Sequence, residues 1–465
     1  MTNPVPGESD SMQDPVILWL RQDLRLHDQP ALVAAAQAGP VIPVYVLDDD
    51  GPGDWRMGGA QRWYLHHALA ALAKTLKGKG SRLILRRGPA VEMLQAVMQE
   101  TGATAIHAIR HYEPWWRKAE DALGDTLTLH DGNQLARPED VRTGSDGQFK
   151  VYSSFWKTLV RQMPPPEPVA VPRKIDAPQR WPASDALKDW DLLPTKPDWA
   201  KGFADAWTAG EESARKTLAD FGTRVDDYDI DRNMPSVDGS SRLSPHLHFG
   251  EISPRQVWHA IDAGGESLTT FRKEIAWRDF TSGVVLAMPD YAEANGRPKF
   301  DALAWRSDHA AQADLTAWQT GQTGYPIVDA GMRQLRATGW MHNRVRMITA
   351  SFLIKHLLID WRKGERWFWD CLVDADYGNN SVNWQWVAGT GIDSNMFGRI
   401  MAPLTQSEKF DAGGYIRQWV PELKGVRDAA IHDPEEAGCR PRDYPPKIIG
   451  HREARERALA AAKRI

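Results

Sequence analysis

The first part of the chain alternates short apolar runs with amphipathic segments. Runs such as Val16–Leu20, Val41–Leu47 and Ala105–Ile109 are almost unbroken in aliphatic and aromatic side chains, which is typical of strands buried on both faces. The same pattern predicts strands at Arg82–Arg86 and Thr126–Leu129 and helices at Pro30–Ala38, Ala60–Lys77 and Val91–Thr101. Strands and helices in alternation predict a parallel, doubly wound α/β sheet.

The pattern changes at Met163, where a proline-rich stretch begins and continues to Pro197. Such a stretch predicts a long extended connector. Beyond Trp199 the apolar residues recur at helical spacing, in the segments Glu211–Phe221, Pro254–Ala263, Leu268–Ala287, Ile327–Thr338, Arg344–Leu358, Gly364–Leu372 and the basic segment Glu453–Arg464. We therefore predict a disordered leader (1–15), an α/β domain (16–135), an interdomain linker (136–202) and a larger all-α domain (203–465).

Composition narrows the function classes. The 465 residues include 57 Lys+Arg and 61 Asp+Glu, so any nucleic-acid contact must be a local basic groove and not a charged tail. The two cysteines, Cys371 and Cys439, exclude a disulfide framework and four-cysteine zinc or iron–sulfur sites. The sequence has no signal peptide and no apolar run of membrane-spanning length. We expect a cytoplasmic protein without a metal or a membrane partner.

Tryptophan is unusually common, with 21 Trp against 10 Tyr and 12 Phe. An indole N–H needs a partner when it is buried, so this content favours stacking or redox roles for some indoles, while ordinary core packing accounts for most. No G-x-G-x-x-G follows the first predicted strand. The usual dinucleotide fingerprint is therefore absent from the α/β domain.

Two stretches concentrate the polar chemistry. Gly339–Met347 is compatible with a helix, on which Asn343 and Met347 share one face while Arg344 and Arg346 point elsewhere. Asp374–Trp386 brings two carboxylates, three asparagines and two tryptophans together with little aliphatic filler. Buried amides and carboxylates need hydrogen-bond partners. This composition therefore suits a stretch that surrounds a flat ring system whose polar edges supply those partners. The alternative is a polar loop that caps a helix.

Six motifs in order resemble the cryptochrome/photolyase family. They are Trp19–Asp28, Ser240–Gly250, Glu274–Phe280, Thr323–Ala330 and the two central stretches. Within the family, the chain is similar to bacterial DNA photolyases of the class I type, which split cyclobutane pyrimidine dimers. The resemblance extends from Val16 to about Tyr444 and implies an antenna-type α/β domain followed by a helical domain that binds FAD and DNA.

The resemblance implies that FAD lies folded within the helical domain. Its phosphates would contact the residues Tyr228, Ser240, Ser241, Arg242, Leu243 and Ser244. Hydroxyls and backbone amides that open a helix suit a pyrophosphate, although an N-capping serine cluster is the alternative. Asp374 and Asp376 would lie along the isoalloxazine edge with Arg346 as counter-charge, and Asn380 would face the flavin N5 atom.

The expected substrate pocket uses one helical face. Glu274, Trp277 and Arg278 lie at i, i+3 and i+4, where a carboxyl can bind a base edge, an indole can stack on a base and a guanidinium can grip phosphate. The alternative is a helical salt bridge beside a core Trp.

Trp384 and Trp386 are two residues apart, so they point roughly 200° apart on a helix, and we expect them to serve different surfaces. The resemblance gives Trp386 to the substrate cavity and Trp384 to the other side of the flavin.

Trp384, Trp361 and Trp305 resemble the family's electron-transfer chain from the flavin to the surface. The spacing between Trp305 and Trp318 is longer than the usual pattern. The alternative role for each of the three is an ordinary core indole.

The residues Asn343 and Met347 indicate which of two DNA lesions would be repaired. Relatives that repair the (6–4) photoproduct carry histidines at both positions, because their chemistry moves a proton to the lesion, and an asparagine has no titratable proton. The pair is instead the pattern of enzymes that split cyclobutane dimers. A cryptochrome-type photoreceptor without repair activity is the alternative function; plant and animal examples commonly add a C-terminal extension, and this chain ends with a short basic helix.

The predicted function is blue-light-dependent repair of cyclobutane pyrimidine dimers in UV-damaged DNA, by electron transfer from excited reduced FAD to a flipped-out lesion. Glu274, Asn380, Met347 and Asn343 are the predicted catalytic residues, and Trp277 and Trp386 would hold the dimer. Phosphate contacts are expected from Arg232, Arg278, Arg344 and Arg399.

We expect a monomer and an antenna chromophore in the α/β domain. This chromophore could be folate, deazaflavin or a second flavin, or it could be absent. Trp115 and Trp116 depart from the folate-binding pattern of some relatives, and could either block a cleft or stack on a different chromophore.

Overall fold

The computed structural model describes residues 13–261, 264–394 and 400–463. Five strands form one parallel sheet in the order β3-β2-β1-β4-β5. They are β1 (Val16–Leu20), β2 (Val41–Leu47), β3 (Ile84–Arg87), β4 (Ala105–Ile109) and β5 (Leu127–His130). The predicted doubly wound sheet is confirmed. The predicted leader lies outside the described residues except for positions 13–15.

Alternation along β1 decides which helices cover each face of the sheet. Val16, Leu18 and Leu20 pack with helices α1 (Pro30–Ala38) and α2 (Gly59–Gly78), whereas Ile17 and Trp19 pack with α3 (Ala90–Thr101) and α4 (Pro114–Leu123). The sequence prediction lacked α4, because only a narrow stripe of that helix is apolar and buried.

The predicted interdomain linker (136–202) contains a helix, α5 (Tyr152–Leu159). Its Phe155 and Leu159 are buried in a cluster formed mainly by the helical domain. This helix precedes the proline-rich stretch for which an extended conformation was predicted, because that stretch begins only at Met163.

The remainder of the described chain is helical, as predicted. Its helices are α6 (Phe203–Ala206), α7 (Glu211–Gly222), α8 (Tyr228–Asp231), α9 (Ser244–His248), α10 (Pro254–Ala260), α11 (Gly265–Ala287), α12 (His309–Thr320), α13 (Pro326–Thr338), α14 (Asn343–Ser351), α15 (Trp361–Cys371), α16 (Tyr377–Ala388), α17 (Pro403–Lys409), α18 (Gly413–Trp419), α19 (Asp428–Ile431) and α20 (His451–Ala462). Among the described residues, none of these helices is both long and apolar enough to span a membrane.

Two predicted helices differ from the observed ones. The single helix predicted at Arg344–Leu358 is α14 followed by a π-helical turn, Phe352–His356, whose side chains are all buried. The helix predicted to reach Ala263 ends at Ala260, and residues 262–263 lie outside the described ranges. Arg464, the predicted last residue of the C-terminal helix, also lies outside them.

A close backbone contact joins the two domains. The N–H of Leu24 donates to the Phe249 carbonyl at 3.0 Å. Gly250 has φ +64°, and a Cβ at this position would overlap the carbonyl group of Gln22, so both its conformation and its surroundings require glycine. Two motifs that carry the family resemblance, Trp19–Asp28 and Ser240–Gly250, therefore meet at the domain interface.

Buried charge fixes the same interface. Arg25 is fully buried and donates to the Asn133 side chain at 2.9 Å and to the carbonyls of Gly132 at 2.9 Å and Gly250 at 3.0 Å. Asp28 is also fully buried, and its carboxylate pairs with Arg255 at 3.0 Å. Because each buried charge has partners from the other domain, the relative position of the domains is specified by polar contacts.

Replacing Asp28 by Asn should strongly destabilise the protein. Asn tolerates the positive φ of 49° at this position, but Arg255 would keep a buried charge without its carboxylate partner. We expect a loss of about 3–5 kcal/mol, measured by urea unfolding. The matched control is Asp140→Asn, which removes the exposed Arg137–Asp140 pair and should cost at most about 1 kcal/mol. Equal losses in the two variants would contradict this account of the interface.

Candidate functional site

A cavity of about 490 Å³ lies within the helical domain. It is bordered by residues of α8, α9, α11, α14, α15 and α16 and by the loops that precede them. This volume falls in the range of small-molecule and cofactor sites. Most of the predicted site residues line it: Tyr228, Arg232, Ser240, Ser241, Arg242, Ser244, Glu274, Trp277, Arg278, Asn343, Arg344, Arg346, Met347, Asp374, Asp376, Asn380, Trp384 and Trp386.

Four predicted residues are not among those that line this cavity. Leu243 is 1% exposed and its side chain packs in an apolar cluster, so only its backbone could contribute to the predicted phosphate contact. Trp361 is buried in the main core cluster of the helical domain, and Trp305 packs against that cluster. Arg399 falls outside the described residues.

The acidic edge of the cavity is built by the two central stretches together. The N–H of Val373 donates to the Gly339 carbonyl at 2.8 Å, which places the chain before α16 beside the chain before α14. Arg346 then pairs with the Asp374 carboxylate at 2.8 Å. The other oxygen, Oδ1 of Asp374, is buried without a hydrogen-bond partner. A buried carboxylate oxygen needs a donor, and the residues that the structure describes supply none to this oxygen.

The serine cluster forms a different wall. Ser244 opens the one-turn helix α9, and its Oγ accepts from the Trp340 indole N–H at 3.4 Å. Arg242 has φ +56° and holds its guanidinium 4.0 Å from the centre of the Trp340 ring. This turn presents the hydroxyls of Ser240, Ser241 and Ser244 together with one cation to the cavity.

The third wall is the predicted face of α11. Glu274 pairs with Arg232 at 2.8 Å, and 32% of its side chain is exposed. Burial of the carboxyl raises the pKa of Glu274, although the charges of Arg232 and Arg344 oppose this shift. Trp277 lies one turn further along the same helix and also lines the cavity.

Helices α14 and α16 each present a wider face to the cavity than we predicted. On α14, Arg344 and Arg346 line the cavity together with Asn343 and Met347, so the expectation that the arginines point elsewhere was wrong. These four positions span an arc of roughly 160°. Arg344 donates to Asn233 at 2.5 Å and lies 4.6 Å from the centre of the Phe410 ring.

Trp384 and Trp386 also line the same cavity, although we predicted separate surfaces. A separation of roughly 200° in one direction is roughly 160° in the other. The positions between them on that side, Asn379, Asn380, Asn383 and Val387, all line the cavity. The two indoles therefore mark the two edges of one broad face of α16.

Trp384 leads into the predicted tryptophan chain. Its ring rests on Gly364 of α15, where a Cβ would overlap the indole. Trp361 lies one turn before Gly364 on the same helix face, is 0% exposed, and donates its indole N–H to Asn295 at 3.1 Å. Trp305 is half-buried and packs against the same core cluster as the other two. Exposure therefore increases only at the last member of the predicted chain.

Glu365 is a buried polar residue on α15, next to Gly364, that the sequence pattern did not indicate. It is 0% exposed, and among the described residues neither carboxyl oxygen has a hydrogen-bond partner. Its backbone carbonyl accepts from the side-chain amide of Asn380 at 3.2 Å. Burial raises the pKa of Glu365 well above its ordinary range, which favours the neutral carboxyl. Within a helical pattern, a single Glu has no signal that separates it from a solvent-facing residue.

A second, small cavity of about 30 Å³ borders the first. It lies at the carboxyl ends of β1, β4 and β5, where the direction of chain winding reverses and where doubly wound sheets usually bind ligands. Here the helical domain closes that crevice with His248, Arg278 and Asp376. The remaining space suits one or two water molecules. Both ring nitrogens of the buried His248 lack a hydrogen-bond partner among the residues that the structure describes. A dinucleotide therefore has no room at this position.

Two family models match the sequence. One, described as DNA photolyase, matches residues 16–173, and the other, described as the FAD binding domain of DNA photolyase, matches residues 271–464. A deoxyribodipyrimidine photo-lyase of Agrobacterium fabrum is 47% identical, covering 96% of this chain and 97% of the relative. The chain belongs to the DNA photolyase family.

Solved structures of photolyases share the whole fold. A bacterial class III photolyase from Agrobacterium tumefaciens superposes with a TM-score of 0.92 at 46% identity, covering 99% of each chain. An archaeal photolyase from Sulfolobus tokodaii that contains two FAD molecules superposes with a TM-score of 0.81 at 29% identity, covering 97% of this chain and 100% of the other. The predicted family, fold class and enzyme class are confirmed. The predicted class I type is not, since the similar Agrobacterium structure is of class III.

The cavity of this photolyase-family chain fits FAD on its own chemistry. It presents serine hydroxyls and Arg242 on one wall, which suit phosphates, and the Asp374 carboxylate on another. The unpartnered Oδ1 of Asp374 can accept from an N–H of a bound ring. Without such a donor, the buried oxygen would carry its full desolvation cost.

Glu365→Gln should change how stability depends on pH. A Glu that keeps its proton in the folded state loses it on unfolding above its ordinary pKa of 4.5. The folded state then binds more protons than the unfolded state, so stability falls as pH rises, by about 1.4 kcal/mol per pH unit. Urea midpoints between about pH 5 and pH 7.5 should fall more steeply for the wild type than for Glu365→Gln.

The control for this experiment is Glu436→Gln, which changes an exposed glutamate and should follow the wild-type profile. Parallel profiles for Glu365→Gln and the wild type would show that Glu365 is ionised in the folded protein.

Proposed function

We propose that this photolyase-family protein repairs cyclobutane pyrimidine dimers in DNA under blue light, with FAD as its cofactor. The observation that supports this most is a single cavity that combines two sets of groups. One set, with Asp374, Arg346 and the serine cluster, suits the flavin dinucleotide. The other, with Glu274, Trp277 and Trp386, suits a pair of fused pyrimidines.

The residues of the first set bind and orient the cofactor. Arg346 balances the charge of Asp374 at 2.8 Å and leaves Oδ1 free to accept from the isoalloxazine edge. Asp376 caps α16 by accepting from the Asn379 N–H at 2.7 Å, and this contact fixes the turn from which Asn380 would face the flavin N5 atom. When bound and reduced, the flavin would supply the excited electron that splits the dimer.

The residues of the second set would hold the lesion. Photolyases are among the enzymes that take their target nucleotide out of the duplex, and extrusion costs least for a damaged base. Trp277 and Trp386 would pack on the two bases, while Glu274 would contact a base carbonyl. Burial raises the pKa of Glu274 against the opposing charges of Arg232 and Arg344, and a proton taken up by this carboxyl can be donated as a hydrogen bond to that carbonyl as negative charge develops there.

The choice of lesion rests on α14. Asn343 and Met347 line the cavity, and neither can supply a proton at neutral pH. The nearby His342 cannot do so either, because its Nδ1 accepts from the Arg344 N–H at 3.2 Å as the cap of the helix. Burial, with four arginines nearby, lowers the pKa of His342 to about 3. This wall therefore supports splitting of cyclobutane dimers and not repair of (6–4) photoproducts, which requires proton transfer.

Trp384, Trp361 and Trp305 form the proposed route by which electrons reach the flavin from the surface. The contact of Trp384 with Gly364, one turn from Trp361, supports the first step. The half-buried position of Trp305 supports its place at the end of the chain.

DNA phosphates would be bound near the cavity mouth by Arg232 and Arg344, both of which line it. Arg278 is less suited to that role than we predicted, because it donates to the Leu247 carbonyl at 3.1 Å and borders both cavities. The phosphate contact of Arg399 stays a prediction, as do the monomeric state and the cytoplasmic location.

An antenna chromophore also stays a prediction. In the structure, Trp115 packs on Tyr377 with ring centroids 5.1 Å apart and Trp116 on Trp19 at 5.9 Å. These contacts favour the interpretation that the two indoles fill a cleft, and they leave less surface for a stacked chromophore at this place.

The function is tested by a repair assay with both lesion types. Purified protein, loaded with reduced FAD, should restore DNA containing cyclobutane dimers under blue light and not in darkness, and should leave (6–4) photoproducts intact. Loss of dimers can be followed by chromatography of the digested DNA. A protein that binds FAD and responds to light but leaves both lesions unchanged would instead act as a cryptochrome-type photoreceptor.

Glu274→Ala should lower the number of dimers split per absorbed photon while FAD content stays at the wild-type level. The Glu274 carboxyl lies on the cavity wall formed by α11, which would face the lesion, and not on the wall that carries Asp374. The change therefore removes one contact that stabilises charge on the lesion. For this loss we expect a fall in repair yield of about tenfold to hundredfold at most. The measurement is the quantum yield of repair at saturating damaged DNA. An unchanged yield, or a loss of FAD, would contradict the role assigned to Glu274.

A further inference from the structure

Tyr152 stacks face to face on Trp277. The two ring centroids are 3.8 Å apart, and the planes differ by only 4°. Tyr152 belongs to α5, within the predicted interdomain linker, and Trp277 belongs to the cavity wall formed by α11. The substrate cavity is therefore backed by a residue from the connection between the domains.

Several contacts fix this stack. Phe280 meets both rings edge-on, at 5.6 Å from Tyr152 and 5.3 Å from Trp277, each with an interplanar angle of 88°. The Tyr152 hydroxyl donates to the Lys273 carbonyl of α11, one turn before Trp277. Burial and the nearby Glu274 carboxylate raise the pKa of Tyr152, so the phenol keeps the proton that it donates.

The stack decides how Trp277 can be used. One face of the indole is covered by Tyr152, so a base can contact the remaining face or the edge toward the cavity. A ring clamped between a parallel neighbour and an edge-on neighbour has lost its rotational freedom before substrate arrives. Binding then does not have to supply that ordering entropy.

We propose that Tyr152 is a positioning residue that holds Trp277 in its lesion-binding orientation, and so contributes to the preference for dimer-containing DNA. This inference rests on the proposed function, because it takes Trp277 to contact the dimer. The alternative is that Tyr152 only fills the aromatic cluster, as its neighbour Phe155 does.

The test is a double-mutant cycle between Tyr152 and Trp277 with two control variants. Tyr152→Leu removes the stack, Tyr152→Phe keeps the ring but removes the hydroxyl, and Phe155→Leu changes a neighbouring ring that contacts Tyr152 and Phe280 while it keeps the Tyr152–Trp277 pair. Dissociation constants are measured for matched oligonucleotides with and without one cyclobutane dimer. KM and kcat of light-driven repair are measured in parallel.

Tyr152→Leu should weaken binding of the dimer-containing oligonucleotide about three- to tenfold, leave binding of undamaged DNA unchanged, and raise KM with little change in kcat. Adding it to Trp277→Leu should weaken binding no further, because the two residues act together. Tyr152→Phe should stay within about twofold of the wild type, and Phe155→Leu should lower the unfolding temperature while lesion affinity is kept.

The free protein provides a readout that needs neither DNA nor FAD. A Tyr–Trp stack gives a near-ultraviolet circular dichroism signal, which Tyr152→Leu should remove and Tyr152→Phe should largely retain. The proposal is overturned if Tyr152→Leu removes this signal but lesion affinity is unchanged, or if damaged and undamaged DNA lose affinity equally. If Trp277→Leu itself leaves lesion affinity unchanged, the proposed role of Trp277 fails first, which separates the two hypotheses.

Discussion

The Asp374 carboxylate is the group on which the site depends. One of its oxygens is neutralised by Arg346 at 2.8 Å, while the other is buried with no hydrogen-bond partner in the described part of the chain. A fold does not bury such an atom without cost, because it gives up its hydrogen bonds to water. Asp374 lines the cavity, so a donor on a ligand bound there would remove this cost. The chain therefore folds around a cavity that is complete when a ligand with a polar ring edge is bound.

The interface between the domains keeps that cavity in shape. Helices α9 and α11 form two of its walls, and both are held against the α/β domain. Phe249 and Gly250, just after α9, contact the loop after β1, and the Asp279 carboxylate on α11 accepts from the backbone of Leu135 and Ala136 at 2.9 and 3.0 Å. Tyr152 adds a contact from the connection itself. The cavity wall formed by α11 is thus supported by residues of the α/β domain, the interdomain connection and the helical domain.

The sequence predicted structure correctly where the deciding pattern of residues lies within one local stretch. The parallel sheet followed from its apolar runs, whereas the Arg346–Asp374 pair was implied by the family resemblance of two motifs rich in polar residues. It was not informative where contacts join distant segments. Nothing local distinguishes Glu365 from an exposed glutamate on a helix, and nothing in the linker composition places Tyr152 on Trp277. That Trp384 and Trp386 line one cavity was also not predicted, since a spacing rule gives the angle between two side chains but not the width of the cavity.

The central claim is that FAD and a pyrimidine dimer occupy one cavity side by side. It is tested most directly by recording the absorption spectrum of the bound flavin in darkness while matched oligonucleotides, with and without a cyclobutane dimer, are added. The account predicts one FAD per chain and a spectral shift that saturates with one dimer-containing oligonucleotide per chain and is absent with undamaged DNA. Stoichiometric flavin whose spectrum is unaffected by bound, dimer-containing DNA would contradict it.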